Sequence, residues 1–199
     1  MSPPQSVYLL RHGESAFNAV YDVTGVDPGI IDARLTERGR EQVRALSETV
    51  RRLGCELVVT SPLTRAIETA LGLFDGPAAP PIVVAALMRE RLGDACDIGR
   101  PPSALAREFP MLDFRHLPET WWHTGELDAR GVPIESHEQA KDRIVEFRAW
   151  LAGRTEQSIL LVGHAGFLYR LGGVDLANAE LSRLSAERWT ANIPAMRVG

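Results

Sequence analysis

The sequence alternates between short apolar runs typical of strands and longer stretches with the apolar spacing of helices. Four runs of the first kind predict strands, at Ser6–Leu10, Leu57–Thr60, Ile82–Val84 and Ser158–Val162. A stretch long enough for at least one helix separates each run from the next. Such alternation is typical of an α/β fold with a largely parallel sheet.

Capping residues mark where three helices are expected to begin. The first follows Thr36, a good N-cap, and ends at Gly54. The second is predicted to begin at Ser61–Pro62, with the serine as N-cap and the proline at the first helical position. The third begins at Ser136, whose spacing from Gln139 is that of a capping box. These helices lie between the predicted strands.

Composition and charge limit the class of protein. Of the 199 residues, 45% are hydrophobic and 24% are charged, which is typical of a globular domain and unlike a disordered chain. The 22 basic and 26 acidic side chains give a net charge of −4, which argues against a strongly basic nucleic-acid binder. We predict a single domain over residues 1–199, large enough for an enzyme, with an irregular insertion at about 99–133 that is rich in proline and aromatic residues.

The sequence predicts neither a membrane span nor a secretion signal. The longest apolar run, Ile82–Met88, is far shorter than the roughly 20 residues that a span needs, and Met1–Pro4 lack the basic start of a signal peptide. Cys55 and Cys96 lie far apart and outside any Cys-x-x-Cys spacing, which indicates reduced thiols. We therefore expect a cytoplasmic protein that binds no membrane and no nucleic acid.

Three of the predicted strands run directly into segments that contain histidine or arginine. The first is followed by Arg11 and His12, the second by a segment that contains Arg65, and the last by a segment that contains His164. In open α/β sheets, ligands bind at the carboxyl ends of the strands, so these side chains are expected at one edge. The planar guanidinium group matches the geometry of phosphate oxygens. The sequence therefore predicts a site for a phosphoryl group.

Four motifs in chain order resemble those of the histidine phosphatase superfamily, also called phosphoglycerate mutase-like. They are Arg11–Ser15 with Asn18, Leu35–Gly39, Ser61–Ala66 and Gly163–Gly166. The resemblance implies a three-layer α/β/α sandwich with a mostly parallel sheet, in which the histidine after the first strand is transiently phosphorylated. Asn178–Glu180 resembles a stretch where a final strand runs in this family, and we assign it no chemistry.

The resemblance also implies roles for individual residues. His12 becomes the nucleophile, and Arg11 and Arg65 hold the phosphoryl oxygens. His164 is expected among both the catalytic and the phosphate-binding residues, and Asn18 is expected to add a contact from the loop after the first motif. A neutral imidazole can attack phosphorus, and the nearby arginines disfavour its protonation. The same cations stabilise the transition state, so the scheme needs no metal and no other cofactor.

The leaving oxygen needs a proton, and the family usually takes it from an acid shortly after the third strand. Here Met88–Glu90 resembles the usual Leu-Arg-Glu, which makes Glu90 the best candidate. The segment Asp94–Arg100 stands where a Trp-Glu-Gly stretch is often found, so Asp94 or Asp97 could take the role instead. Partial burial is expected to raise the pKa of the group that acts.

We expect a metal-independent phosphatase of the histidine acid phosphatase type that hydrolyses a small phosphomonoester. A cofactor-dependent phosphoglycerate mutase is the alternative, but mutases of this family tend to be longer and to carry a basic insertion. The acidic residues of the insertion here are Glu108, Asp113, Glu119, Glu126 and Asp128. A non-catalytic phosphate-binding module is a third alternative, although every core residue that the mechanism needs is present. The motifs identify neither the substrate nor the oligomeric state.

Overall fold

A computed structural model describes residues 4, 6–74 and 79–185. The remaining parts of the predicted domain 1–199 lie outside the described residues. A five-stranded sheet runs through the centre, in the order β3-β2-β4-β1-β5. Its strands are β1 at Ser6–Arg11, β2 at Leu57–Thr60, β3 at Ile82–Val84, β4 at Ser158–Gly163 and β5 at Leu181–Leu184.

All the strand pairings are parallel except the one between β1 and β5. β1 pairs with β4 from Ser6 opposite Ser158 to Arg11 opposite Gly163. β2 lies parallel to both β3 and β4, and β5 runs antiparallel along the other side of β1. The predicted α/β class with a mostly parallel sheet is confirmed. The final strand begins only at Leu181, because the backbone turns at Ala179, where φ is 57°.

The described residues include six α-helices. They are α1 at Ala16–Thr24, α2 at Glu37–Arg52, α3 at Thr64–Gly72, α4 at Pro102–Glu108, α5 at His137–Ala152 and α6 at Ala165–Gly172. Two of the predicted caps are confirmed, since the Thr36 hydroxyl accepts from the Gly39 N–H and Ser136 forms a capping box with Gln139. Gly54, where the first predicted helix was expected to end, has a left-handed backbone with φ 61°.

The second predicted helix begins later than expected. α3 begins at Thr64, and the N–H of Ser61 donates to Val162 in the neighbouring strand, so Ser61 still belongs to the sheet edge. The carboxylate of Asp32, from the connection between α1 and α2, accepts from the Thr64 N–H at 2.7 Å. Asp32 therefore takes the capping role that was predicted for Ser61. A cap supplied from a distant part of the chain leaves no local sequence pattern.

The sheet separates two hydrophobic cores, which together give the three-layer arrangement. Along β1, Leu9 packs into the core beneath α5 and α6, while Leu10 packs into the opposite core beneath α2 and α3. This alternation follows from the two-residue period of a strand. Within the described ranges, no helix is both long and apolar enough to cross a membrane.

The segment 99–133 contains one helix, α4, and is otherwise built from turns. Its apolar side chains pack on Leu63 and Ile67 at the start of α3. They are Leu105, Phe109, Phe114, Leu117 and Trp121. The segment thus extends the core on the α3 side of the sheet, next to the edge where β2 and β4 end.

Candidate active site

Three neighbouring strands end around one small cavity. β1 leads into His12, β4 leads into His164, and the turn after β2 leads into Arg65 at the start of α3. The cavity has a volume of about 130 Å³, below the roughly 300–1,000 Å³ usual for small-molecule sites. We call it the phosphoryl pocket, and its lining residues are Arg11, His12, Ser15, Phe17, Asn18, Arg65, Glu90, Asp94, Cys96, Asp97, His164 and Ala165. Every predicted site residue is among them.

Close packing of two glycines fixes the turn after β1. A Cβ on Gly13 would lie 2.6 Å from the carbonyl oxygen of Gly39, and one on Gly39 would lie 2.1 Å from that of Glu14. The Gly13 N–H also donates to the Thr69 hydroxyl on α3 at 3.1 Å. The glycines of the first two motifs are therefore needed because the backbones touch, and this contact sets the position of His12.

The hydrogen bonds of His12 assign its tautomer. Its Nδ1 lies 2.7 Å from the carbonyl oxygen of Gly13, which can only accept, so Nδ1 carries the proton. Nε2 then holds a lone pair, and the Nε–H of Arg65 donates to it at 3.2 Å. The pocket therefore contains an imidazole with one unprotonated nitrogen beside a guanidinium group.

Burial and neighbouring charge both keep this imidazole neutral. Burial lowers the pKa of His12 well below its ordinary value, and the charges of Arg65 and Arg11 lower it further. Burial also lowers the pKa of His164, with the charge of Arg65 as the next cause. The two rings lie 5.2 Å apart between centroids. Both histidines are therefore neutral bases at neutral pH.

His164 is buried without a hydrogen-bond partner. Its side chain is 1% exposed, and neither Nδ1 nor Nε2 has an acceptor or donor among the described residues. Burying a polar group without a partner costs free energy, so such groups are rare outside functional sites. Both ring nitrogens of His164 are therefore free to hydrogen-bond a ligand in the phosphoryl pocket.

Arg65 uses only part of its guanidinium group on protein acceptors. Besides His12, it donates from Nη1 to the carbonyl of Cys96 at 2.6 Å and from Nη2 to Asp97 at 2.8 Å. A guanidinium group has five N–H donors. One donor on each terminal nitrogen of Arg65 therefore has no acceptor in the part of the chain that the structure describes, and a phosphoryl group is a suitable acceptor.

Arg11 and Asn18 also have N–H donors without an acceptor among the described residues. Arg11 donates from Nη1 to the carbonyl of Leu176, while its buried Nε has no partner among the described residues. Asn18 lies on α1 rather than on the predicted loop, because Ser15 caps this helix and pairs with Asn18 in a capping box. The amide oxygen of Asn18 accepts from the Ser15 N–H and hydroxyl. Its amide nitrogen, without a described acceptor, is left for a ligand.

Glu90 is held at the start of α6. One carboxylate oxygen accepts from the N–H of Gly166 at 2.7 Å, and the other accepts from the N–H of Arg91 at 2.7 Å. A Cβ on Gly166 would lie 2.6 Å from the Glu90 carboxylate, so the last glycine of the late motif leaves room for it. These bonds fix Glu90 in the pocket lining, beside Gly166 in the first turn of α6.

The other two predicted acids differ from each other in burial. Asp97 is 6% exposed and paired with Arg65, and burial raises its pKa to about 6 although Arg65 opposes the shift. Asp94 lies at the rim, where Arg130 donates to it at 2.9 Å. All three candidate acids thus line one pocket, and the raised pKa expected for the acid is found at Asp97.

A second buried ion pair supports the segment that carries Glu90. Arg143 on α5 pairs with Glu135 through Nε and Nη2, at 3.1 and 2.8 Å. Its remaining donors reach three carbonyls, those of Leu87, Arg89 and Glu90. Burial alone would raise the pKa of Glu135, but the hydrogen bond and charge of Arg143 hold it below its ordinary value. Arg143 thereby fixes the backbone from which Glu90 projects.

Sequence reasoning missed several residues that support the site. The Asn178 amide donates to the carbonyl of His12 at 3.1 Å and to Asn18 at 3.3 Å, so the stretch to which we assigned no chemistry buttresses the nucleophile. Thr69 and Asp32 hold α3 in place through side-chain hydrogen bonds. The Ser15 and Asn18 spacing, three residues apart before an apolar stretch, was the one local signal for α1.

No group of three or more histidine, cysteine, aspartate or glutamate side chains within the described ranges is arranged to hold a metal ion. Cys55 and Cys96 are both free thiols. Burial raises the pKa of each thiol, so neither is an activated nucleophile. The polar side chains that line the phosphoryl pocket are histidines, arginines, carboxyl groups, the Asn18 amide, the Ser15 hydroxyl and the Cys96 thiol.

A fold of this topology, with a histidine and arginines at the ends of its central strands, defines a class of phosphoryl-transfer proteins. The chain belongs to the histidine phosphatase superfamily (branch 1), whose family model matches residues 7–191. A phosphoglycerate mutase-like protein of Arabidopsis thaliana is 31% identical over 84% of this chain and 73% of its own length. The glucosyl-3-phosphoglycerate phosphatase of Mycolicibacterium vanbaalenii is 27% identical over 91% of this chain and 76% of its own.

Solved structures share the fold. The alpha-ribazole phosphatase from Shigella flexneri has a TM-score of 0.61 at 23% identity, covering 89% of each chain. A mycobacterial glucosyl-3-phosphoglycerate phosphatase in complex with VO3 has a TM-score of 0.59 at 24% identity, covering 91% of each chain. The predicted family and fold are therefore confirmed, and the neighbours in the superfamily include phosphatases.

Proposed function

We propose that this protein is a phosphatase that hydrolyses a small phosphomonoester through a phosphohistidine on His12. The observation that carries the proposal is the unprotonated Nε2 of His12, which lies beside the Arg65 guanidinium in a pocket of unpaired donors. A nucleophile that is neutral at working pH and surrounded by cations is suited to attack a negatively charged phosphoryl group.

In the first step, the lone pair on Nε2 of His12 attacks phosphorus. A P–N bond forms as the bond between phosphorus and the ester oxygen breaks, and the leaving oxygen takes a proton from an acid. Arg11 and Arg65 stabilise the charge on the equatorial oxygens, which in phosphoryl transfer supplies most of the catalysis. His164 and the Asn18 amide complete the hydrogen bonds to those oxygens.

In the second step, water attacks the phosphohistidine. The P–N bond breaks, a proton of the water passes to the carboxylate that gave up its proton in the first step, and inorganic phosphate leaves. We assign this carboxyl group to Glu90, because two backbone N–H groups fix its position in the lining of the pocket. Asp97 is instead committed to orienting Arg65.

Trapping the intermediate tests the central claim. Wild-type protein mixed with p-nitrophenyl phosphate and quenched in alkali should carry phosphate on His12, located by mass spectrometry. His12→Ala should neither trap phosphate nor release it, whereas His137→Ala, a change at an exposed histidine, should do both. Turnover by a folded His12→Ala variant would contradict the proposal. We also predict that no metal is required, so the release of phosphate should persist in EDTA.

The choice of acid is tested by the quality of the leaving group. Glu90→Gln should lose about 10²- to 10⁴-fold in kcat/KM on an alkyl phosphate, whose oxygen needs a proton. It should lose far less on p-nitrophenyl phosphate, whose leaving group departs as the anion. Asp97→Asn should lose activity on both esters, because it disturbs Arg65. The reverse pattern would assign the acid to Asp97.

The names of the relatives do not agree on a substrate or on a single reaction. One is called phosphoglycerate mutase-like and another a glucosyl-3-phosphoglycerate phosphatase. If the protein interconverts phosphoglycerate isomers without net release of phosphate, it is a mutase rather than a phosphatase. Phosphate binding with no transfer to His12 would indicate the non-catalytic module. The acid phosphatase type and the cytoplasmic location stay predictions.

A further inference from the structure

The charges around the phosphoryl pocket are balanced in an unusual way for a site that takes a dianion. Two guanidinium groups, Arg11 and Arg65, face three carboxyl groups, Glu90, Asp94 and Asp97. The partnerless ring of His164 and the free donors of Arg65 mark where a phosphoryl group sits. A bound phosphoryl dianion uses the two cations of the lining. Because Asp97 stays paired with Arg65 and Glu90 supplies the proton to the leaving oxygen, Asp94 is the carboxylate left to face the rest of the substrate.

The arginine next to Asp94 is already shared among several carboxylates. Arg130 pairs with Asp94, Asp27 and Asp128, so this group of side chains has more negative than positive charges. Arg100 is likewise paired with Asp32 and Glu108. A second anionic group on the substrate would therefore meet an excess of negative charge beside Asp94.

One aromatic side chain also lines the pocket. Phe17 lines the pocket and stacks on Tyr21 with ring centroids 5.1 Å apart. Val20 and Tyr21 are each 39% exposed on the same helix, α1. Because the pocket volume of about 130 Å³ leaves little space beyond the phosphoryl group, the leaving group must extend past the rim of the pocket. The Asp94 carboxylate lies at this rim.

We propose that the substrate is a phosphomonoester whose leaving group carries no negative charge, and that Asp94 excludes anionic leaving groups. This inference rests on the proposed phosphatase function and narrows it to neutral or cationic alcohols. Like charges placed together across a binding site are a common means of excluding the wrong ligand. Esters of hydroxy acids and molecules with a second phosphate group are thus disfavoured.

A matched pair of esters tests the proposal. Glycerol 3-phosphate and 3-phosphoglycerate differ only in a hydroxymethyl group that replaces a carboxylate. We expect kcat/KM for glycerol 3-phosphate to exceed that for 3-phosphoglycerate by about tenfold or more. Phosphoethanolamine, with a cationic leaving group, should be hydrolysed at least as efficiently as ethyl phosphate.

Variants of Asp94 show whether the rim carboxylate is responsible. In Asp94→Asn and Asp94→Lys, the ratio of kcat/KM for 3-phosphoglycerate to that for glycerol 3-phosphate should rise, most in the lysine variant. Because both esters are measured with the same variant, a general loss of activity does not change this ratio. Glu48→Lys, which makes the same change of net charge on the exposed end of α2, should leave the ratio unchanged.

The two proposals fail in different ways. Equal or better hydrolysis of 3-phosphoglycerate by wild-type protein, or an unchanged ratio in Asp94→Lys, would overturn the substrate class while His12 still carries phosphate. No release from any ester, p-nitrophenyl phosphate included, and no phosphate on His12 would overturn the phosphatase function and the substrate class together.

Discussion

Arg65 and Arg143 are both buried arginines paired with a buried carboxylate, yet they use their donors differently. The exposed fractions are 3% and 6% for Arg65 and Asp97, and 6% and 1% for Arg143 and Glu135. Arg143 spends all five donors on protein acceptors, whereas Arg65 keeps two for a ligand. An arginine whose N–H donors all have protein acceptors stabilises the fold. An arginine with unused donors near the end of a strand can bind a ligand.

The carboxylates differ in the same sense. Arg143 holds the pKa of Glu135 below its ordinary value against the effect of burial, so Glu135 is a lasting negative charge. Burial raises the pKa of Asp97 to about 6 even with Arg65 beside it. Removal of Arg143 should therefore leave the buried Glu135 charge with only Arg89 as a partner, whereas after removal of Arg65 the Asp97 carboxyl group can take up a proton.

The largest expected effect is on stability. Arg143→Ala should lower the free energy of unfolding by about 3 kcal/mol, because the buried Glu135 then keeps only the half-buried Arg89 as its charged partner. Urea denaturation followed by circular dichroism measures the loss. Arg44→Ala, which breaks an exposed ion pair with Glu37, is the control and should cost less than about 1 kcal/mol.

A small loss in Arg143→Ala would remove the distinction between the two pairs. If the loss is large, the double change Arg143→Met with Glu135→Leu should restore part of the stability, since only the half-buried Arg89 then lacks its carboxylate partner. Activity on an alkyl phosphate should stay low in that double variant, because the carbonyls before Glu90 lose their donor.

Replacement of Arg65 should affect activity more than stability. Arg65→Ala should lose about 10²- to 10³-fold in kcat/KM on p-nitrophenyl phosphate, because phosphoryl oxygens lose a guanidinium donor. Its loss of unfolding free energy at pH 7 should be smaller than that of Arg143→Ala, since Asp97 can be protonated at modest cost. Arg65→Lys should recover little activity, because an ammonium group lacks the planar fork. Equal stability losses in the two alanine variants would contradict this.

A ligand should distinguish the two arginines as well. Inorganic phosphate at about 100 times its Kd should stabilise the wild-type protein by about 2.7 kcal/mol, seen as a rise in Tm. The same phosphate concentration should barely shift the Tm of Arg65→Ala. Sulfate-free buffer with matched ionic strength is the reference, and an equal shift in Arg65→Ala would show that phosphate binds elsewhere.

The smallest effect concerns acid stability. The folded pKa values of His12 and His164 are lowered, so below about pH 6.5 the unfolded chain binds protons that the folded chain does not. Stability is therefore lost as the pH falls through that value, by at most about 1.4 kcal/mol per pH unit for each histidine. His12→Asn should flatten the profile between pH 6.5 and 5, whereas His137→Asn at an exposed site should not.

The sequence predicted the parts of the fold that depend on local pattern. The strand positions and the caps at Thr36 and Ser136 followed from short-range spacing, and the phosphoryl-pocket residues followed from motifs at strand ends. Their catalytic roles stay predictions until the variants are measured. The predicted start of α3 was wrong because the residue that caps this helix, Asp32, comes from a distant loop.

Hydrogen bonds between residues far apart in the chain could not be predicted from local spacing. Asn178 supports the His12 carbonyl across 166 residues of chain, and Arg143 reaches the Arg89 carbonyl across 54. Although Asn178 and Arg89 lie in stretches that resemble those of the family, the spacing of residues along the chain does not show which groups they contact. The insertion at 99–133 gave little pattern for the same reason, since its side chains pack on α3 rather than on one another in a regular element.

The order of strands has a consequence for how the protein is made. In the described part of the chain β1 precedes the other strands, yet its two neighbours, β4 and β5, come last. During synthesis, the apolar β1 therefore has no strand to pair with until residues 158–163 of β4 have been made. Such non-local pairing slows folding and leaves apolar surface exposed in partly folded chains. His12 and His164, which follow β1 and β4, are brought together only once these two strands have paired.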